Sequence, residues 1–216
     1  EKILQRFPDR LHWKVLSHNN AITWTIGLLN IIVSTEFDWA HISEHGKFME
    51  EQIERVLLIF GEKLNWKNIL ARTDIKLTNK IVVNLADYLD FRELSKRDDI
   101  KQIPSLLLDL SDRDWDWSYI SSNWNLTENH IDTLTNKLDW DRLSRNQNLS
   151  FTSQWLAKHE SKWDISALFI NSTVQNNPEA SQWLDGLFSR RPLLYFWVKL
   201  RVQNNSWGGF AWHFAH

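Results

Sequence analysis

Cysteine is absent from the 216 residues, which excludes a disulfide scaffold, a thiolate zinc finger and a cysteine nucleophile and leaves the redox compartment open. Six glycines and four prolines fall well below the usual shares of about 7% and 5%, which disfavours a turn-dense all-β fold. No stretch reaches the roughly 18 apolar residues of a membrane span, and the opening residues lack the pattern of a signal peptide. An excess of one charge is missing too. The net charge of −2 gives no global field for nucleic acid or an anionic membrane. A cytoplasmic protein with no membrane contact is expected. What is present suits an ordinary globular chain, 43% hydrophobic and 24% charged, long enough to bury a core. The 14 tryptophans stand out.

The tryptophans mark a repeat. LDWDRLSRNQNLS at Trp140 and WDWSYISSNWNLT at Trp117 share one pattern. The same pattern extends back through Phe91, Trp66, Trp39 and Trp13, and forward to a decayed copy at Trp163. These anchors are separated by 26, 27, 25, 26, 23 and 23 residues. Three residues after the first six comes an aliphatic side chain: Leu16, Ile42, Ile69, Leu94, Ile120 or Leu143. The next residue is Ser17, Ser43, Ser95, Ser121 or Ser144 in five copies and Leu70 in the third. Further apolar positions follow at nine residues and at 13 to 15.

The unit reads as two helices. An aromatic and an aliphatic residue three apart share one helical face. The residue before the anchor is Asp38, Asp90, Asp116, Asp139 or Asn65, each suited to accept the free amides of a first turn. A polar stretch such as Arg145-Asn146-Gln147-Asn148 ends helix one, and Thr78, Thr127 or Ser150 is expected to open helix two. Asn177-Pro178-Glu179 opens a later helix. Stacked copies bury the faces that one copy leaves open. The predicted fold is therefore all-α, an α-solenoid of about seven two-helix repeats. Leu143, Ser144 and Asn146 also suggest a leucine-rich repeat, but Asp141 and Asn148 stand where that pattern needs leucine.

The Asp-Trp, Leu-Ser, Asn, Leu-Thr signature over residues 11–170 resembles the tandem tryptophan-containing helical repeats of large, mostly uncharacterised bacterial and viral proteins. The resemblance implies an interaction scaffold and carries over no catalytic residue. Residues 2–7 look like the second helix of a preceding unit, so the repeat domain, 1–191, is expected to start inside a repeat of a longer protein. Residues 192–216 read as an aromatic capping segment. Its runs 193–198 and 207–212 about a polar turn suggest a β-hairpin, with a helix over 193–202 as the alternative.

Candidate chemistry is sparse. His41 and His45 stand four apart, but Glu44 is misplaced for a zinc protease helix, and no metal is expected there or at His213 and His216. Asp114/Asp116 and Asp139/Asp141 invite an acid–base reading, yet an aspartate recurring in every unit reads as a cap. The recurring serines lack a nucleophile-elbow context and should close helix one by backbone hydrogen bonding. Asn19, Asn123 and Asn146 fall in the turn, where asparagine tolerates a left-handed backbone. No phosphate-cradling loop exists, and no cofactor is expected. The sequons at Asn125, Asn148, Asn171 and Asn204 have no secretion signal behind them.

A ligand surface is expected at the variable positions of helix one: Lys14, His41, Lys67, Arg92, Tyr119 and Arg142. Arg190, Arg191, Lys199 and Arg201 beside Tyr195 and Trp197 form a small basic-aromatic cluster. The expected function is a non-catalytic scaffold that binds a protein partner or flanking domains, or senses a ligand. The alternative is a nucleic-acid-binding module of a nuclease or defence system, which the mixed charges of the variable positions disfavour.

Overall fold

The computed structural model describes Arg6, residues 11–32 and residues 36–206, the side chains of 204–206 excepted. The first elements are α1 (Trp13–Ser17), β1 (Thr23–Trp24), α2 (Ile26–Asn30), α3 (Trp39–His45), β2 (Lys47–Phe48) and α4 (Ile53–Phe60). There follow α5 (Trp66–Ala71), α6 (Asn79–Asn84), α7 (Phe91–Leu94), α8 (Asp98–Lys101) and α9 (Leu106–Asp109). The later helices are α10 (Trp117–Asn123), α11 (Glu128–Thr133), α12 (Trp140–Arg145) and α13 (Ser153–Lys158). The last are α14 (Ile165–Ile170), α15 (Ser172–Gln175), α16 (Pro178–Arg190) and α17 (Pro192–Ser206). The protein is mostly helical, and its helix packing is that of a helical repeat fold. Among the described residues the strands are one parallel pair, Thr23 opposite Lys47 and Trp24 opposite Phe48. That overturns the leucine-rich alternative, because Leu143 and Ser144 lie in helix α12, with Asn146 capping its end.

Two compact units make up the chain: Glu1–Leu106 with Asp112–Trp115, and Leu107–Ser111 with Asp116–His216. In the first, α1, α3 and α5 pack in series and α4 packs on α6. In the second, α10, α12, α14 and α17 form the series and α13 packs on α16.

Each first helix starts where the sequence places its cap. Asp38 accepts the His41 amide at 2.8 Å, Asp116 that of Tyr119 at 2.9 Å and Asp139 that of Arg142 at 3.1 Å. Each cap stabilises by about 1 kcal/mol. Asp164 caps α14 through the Ser166 and Ala167 amides. The residue at the anchor position of that copy is thus Ile165, and Trp163 stands two residues earlier. There it matches Phe37, Leu64, Leu89, Trp115 and Leu138, all buried. These residues just before the cap touch the anchor of the preceding unit: Phe37 meets Trp13, Trp115 meets Phe91 at 4.8 Å, and Trp163 meets Trp140 at 4.7 Å.

Anchor burial is uneven. Trp13, Trp66 and Phe91 are buried, whereas Trp39, Trp117 and Trp140 are only partly so. The three half-covered rings each lie under a lysine of the following unit, Lys63, Lys137 and Lys162, at 5.1 to 5.6 Å. The most deeply buried tryptophans are Trp24, Trp115, Trp124 and Trp155, none of them an anchor.

Two further corrections concern helix starts. Helix α13 opens at Thr152, whose backbone is extended, and not at Ser150; Leu149 and Phe151 before it are both buried in the core. The expected hairpin is replaced by α17, whose first residue Pro192 already has the helical φ. Residues 207–212, its other arm, and residues 2–5 and 7 lie outside the described residues.

Serine joins one repeat to the next. The hydroxyl of Ser144 donates to the Trp140 carbonyl at 2.7 Å and accepts the Asp164 amide at 3.0 Å. Ser121 does the same with Trp117 and Asp139, and Ser43 with Trp39 and Asn65. Ser17 bonds the Lys14 carbonyl and takes the Asp38 amide at 3.3 Å. A second link comes from the residue six after the anchor. Asn146 donates to the Ser121 and Trp124 carbonyls, both at 2.9 Å, and Asn171 to those of Ser144 and Asn146. In the first unit Arg97 plays this part, reaching the Leu70, Arg72 and Ile75 carbonyls while pairing with Asp99. Carbonyls that a helix end leaves orphaned are thereby satisfied across units.

Ser144→Ala should therefore cost about 1–3 kcal/mol in urea unfolding, since a buried amide loses its acceptor. Ser122→Ala, at a hydroxyl bonded only within α10, should stay within about 0.5 kcal/mol. Equal effects at the two positions would contradict the linking role.

Candidate functional site

The six expected ligand-surface residues do not converge. Lys14 is exposed, and its carbonyl accepts from Ser17 and faces His18 Nδ1 at 2.8 Å. Arg92 pairs with Asp114 at 2.8 Å, and Arg142 with Asp139 at 3.1 Å. Tyr119 is half-buried. Lys67 alone of the six lines a large cleft in the first unit. Arg142 borders a smaller one in the second unit with Ser122, Asp139, Asp141 and Arg145.

His41 belongs to a row of three imidazoles. Its ring lies 4.1 Å from that of His18 and 4.8 Å from that of His45. The rings are tilted against one another by 31° and 55°, and among the described residues no three His, Asp or Glu side chains are grouped to hold a metal ion. His41 Nε2 is buried without a partner. Burial, then the neighbouring His18 and His45, lower the His41 pKa, and Asp38 and Glu44 offset this only in part. His213 and His216 lie outside the described residues.

The carboxylate pairs separate into caps and ion pairs. Asp116 and Asp139 cap, Asp114 is held below the usual carboxylate range by its bond to Arg92, and Asp141 by its bond to Arg145. Asp99 is a half-buried exception. Burial pushes its carboxyl up, but Arg97 and the Leu77 amide outweigh that and leave it lowered. The turn asparagines also differ from expectation. Asn146 has an extended backbone, φ −68° and ψ 121°, and a side chain buried against carbonyls, while Asn123 lies inside α10 and bonds the Tyr119 carbonyl. Asn171, one of the sequons, is likewise buried and bonded.

A concavity lies where the serine is missing. At Leu70 no hydroxyl exists to accept the next cap's amide, and among the described residues no partner bonds the Asp90 N–H. A cleft of about 650 Å³ opens there, lined by Trp66, Lys67, Leu70, Ala71, Tyr88 and Asp90 among others. It adjoins a cleft of about 520 Å³ through shared Leu70 and Glu93. Lys76 joins the second to a third of about 640 Å³ that reaches Phe48 and Lys47. The signal was present in the sequence as the one copy with leucine for serine, but it reads there as drift.

No protein-family model matches the chain, and no match was found among curated proteins or solved structures.

The His41 geometry fixes a pH dependence. A folded-state pKa below the ordinary value of about 6.5 means the unfolded chain binds more protons, so stability falls as pH drops through that value. The urea midpoint should be lower at pH 5.5 than at pH 7.5, a window above ordinary carboxylate titration. His41→Gln should shrink that difference; His130, whose pKa burial also lowers, supplies a remainder. An unchanged difference in the variant would show that the histidine row is not responsible.

Proposed function

We propose that the chain is a non-catalytic helical repeat scaffold that binds an extended stretch of a protein partner along the three adjoining clefts of its first unit. The observation that carries this reading is the make-up of that run. Its floor is apolar, with Trp66, Leu70, Ala71, Ile53 and Phe48, and Tyr88 is 45% exposed at one end. Six cations, Lys47, Lys67, Arg72, Lys76, Lys96 and Arg97, stand beside six carboxylates, Glu50, Asp74, Asp90, Glu93, Asp98 and Asp99. Such balance suits a polypeptide carrying both charges. A phosphate backbone needs a one-sided surface, because affinity for it comes from neutralising several phosphates. The free Asp90 amide adds a donor for a backbone carbonyl, the kind of contact that holds extended peptides.

Further support comes from how the recurring polar groups are used. Ser43, Ser121, Ser144, Asn146 and Asn171 are all consumed in links between units, so none is left as a nucleophile or ligand contact. The scaffold reading thus rests on packing residues inside and on the mixed charges that line the clefts. No helix among the described residues is long and apolar enough to cross a membrane.

A random peptide library displayed on phage and panned against the chain should yield peptides that bind at about micromolar Kd. Tyr88→Ala and Lys67→Glu should each weaken the selected peptides about fivefold, with far-ultraviolet circular dichroism unchanged. A labelled 20-nucleotide single strand should bind more weakly than the peptides at physiological salt. Sub-micromolar oligonucleotide binding that disappears as salt rises would replace this reading with the nucleic-acid one.

A further inference from the structure

Three imidazoles meet at the junction of the first two repeats. His18 follows α1, and His41 and His45 lie one turn apart on α3. The His41 ring stands between the other two, 4.1 Å from that of His18 and 4.8 Å from that of His45. The Lys14 carbonyl, 2.8 Å from His18 Nδ1, can only accept, so that nitrogen carries the proton and Nε2 is left to face Asp38. Each outer ring has a carboxylate of its own: His18 Nε2 is 3.5 Å from Asp38, and His45 Nε2 is 3.4 Å from Glu44. The middle ring has no such pair among the described residues, and its Nε2 is buried without a partner. A proton there would place a cation beside two others and leave a buried donor unbonded.

Neighbouring helices bring no charge that relieves this ring. At α1 the titratable groups besides His18 are His12 and Lys14, both exposed. At α5, which also packs on α3, they are Lys67, in the cleft beside Tyr88, and Arg72, committed to Asp74 at 2.6 Å. Asn68 of α5 is neutral and bonds the Ala40 carbonyl and Glu44. Burial and the two adjacent rings accordingly outweigh Asp38 and Glu44 at His41. The junction is also lightly bonded. Ser17 takes the Asp38 amide at 3.3 Å, against 2.8 to 3.0 Å at Ser43, Ser121 and Ser144. Six residues after the anchor, where Asn146 and Asn171 bond carbonyls of the preceding repeat, stands His45, exposed and turned to Glu44. The two-residue pair of β1 with β2 and the Ile26 amide on Gln52 Oε1 at 3.0 Å add uncharged links.

We propose that this junction is a proton-operated joint: acidification sets a charged His41 against a charged His18, and α1 with β1 separates from α3 and β2 while the later repeats stay closed. Like charges on stacked rings repel, and separation relieves the repulsion and gives the buried Nε2 to water. The open joint binds more protons than the closed one. Closure is therefore favoured above the ordinary histidine value of about 6.5 and weakens as pH falls below it. Imidazoles contributed by two packed elements are a recurrent means by which proton uptake moves an interface. The same rings are poorly arranged for a metal ion, because lone pairs lie in the ring planes and rings stacked at 31° do not aim them at one point. The joint works independently of what the clefts bind.

Hydrogen exchange of the full 216-residue chain tests this, read by mass spectrometry at pH 7.5 and 5.5 and corrected for the intrinsic pH dependence of exchange. Residues 13–30 should lose at least tenfold in protection at pH 5.5, and residues 140–170 should change less than twofold. His18→Gln keeps a donor for the Lys14 carbonyl and removes the cation facing His41, so it should reduce the loss at least threefold. His130→Gln, at a buried histidine of the second unit, should leave the loss at 13–30 as it is. Equal loss in both segments would show a global response to acid and overturn the proposal. Protection of 13–30 that does not change with pH, or a loss undiminished in His18→Gln, would overturn it as well. Should His18→Gln leave residues 13–30 unprotected already at pH 7.5, His45→Gln, which removes the other flanking cation from an exposed site, is read in its place. An undiminished loss in that variant overturns the proposal, and a loss reduced at least twofold supports it.

Discussion

A single serine hydroxyl, used twice, sets the spacing of the repeats. Its proton goes to the carbonyl of the anchor four residues back, as in Ser144 to Trp140, and its lone pair receives the amide of the next unit's cap, Asp164. A hydroxyl is small enough for the next unit to approach and carries one donor and two acceptor sites. An alanine would leave the cap amide without an acceptor, and so does a leucine at Leu70. The aspartate caps gain meaning from this arrangement. Asp139 holds its own helix through its side chain and the preceding unit through its backbone.

The other recurring features follow from the approach that the serine permits. Once consecutive first helices are close, the residue before each cap meets the previous anchor ring, as Trp163 meets Trp140. A buried asparagine or arginine six residues after the anchor then reaches the preceding helix end. Arg97 shows how the same job is done with charge: its guanidinium, 11% exposed, is neutralised by Asp99 and fills three carbonyls. A buried ion pair of this kind contributes by satisfying backbone groups more than by Coulomb attraction.

The repeat, the two-helix unit and the caps were legible in the sequence because each rests on local spacing. Asp38, Asp116 and Asp139 cap as their position before the anchor suggests. What was not legible depends on neighbours distant in sequence. Nothing local distinguishes a serine that closes its own helix from one that also joins Ser121 to Asp139, 18 residues on. Trp163 drew the alignment two residues out of register, because ring size outweighed the cap at Asp164. The strand-like run 193–198 became helix α17 because the inward row Leu194, Val198 and Val202 has helical period, while its outer row supplies the extra apolar residues. The cleft at Leu70 was visible only as a departure from pattern, and its size needs coordinates.

Function in this account comes from the break in the pattern. Where serine recurs at Ser121 and Ser144, the next cap's amide is bonded across repeats; at Leu70, beside a cleft of about 650 Å³, that of Asp90 has no partner among the described residues. Amide hydrogen exchange followed by NMR tests that claim most directly. The N–H groups of Asp139 and Asp164, each held by a serine, should exchange as slowly as the helix amides of α12, and that of Asp90 should exchange as a free surface amide. Exchange of Asp139 and Asp164 at the rate of Asp90 would contradict the account.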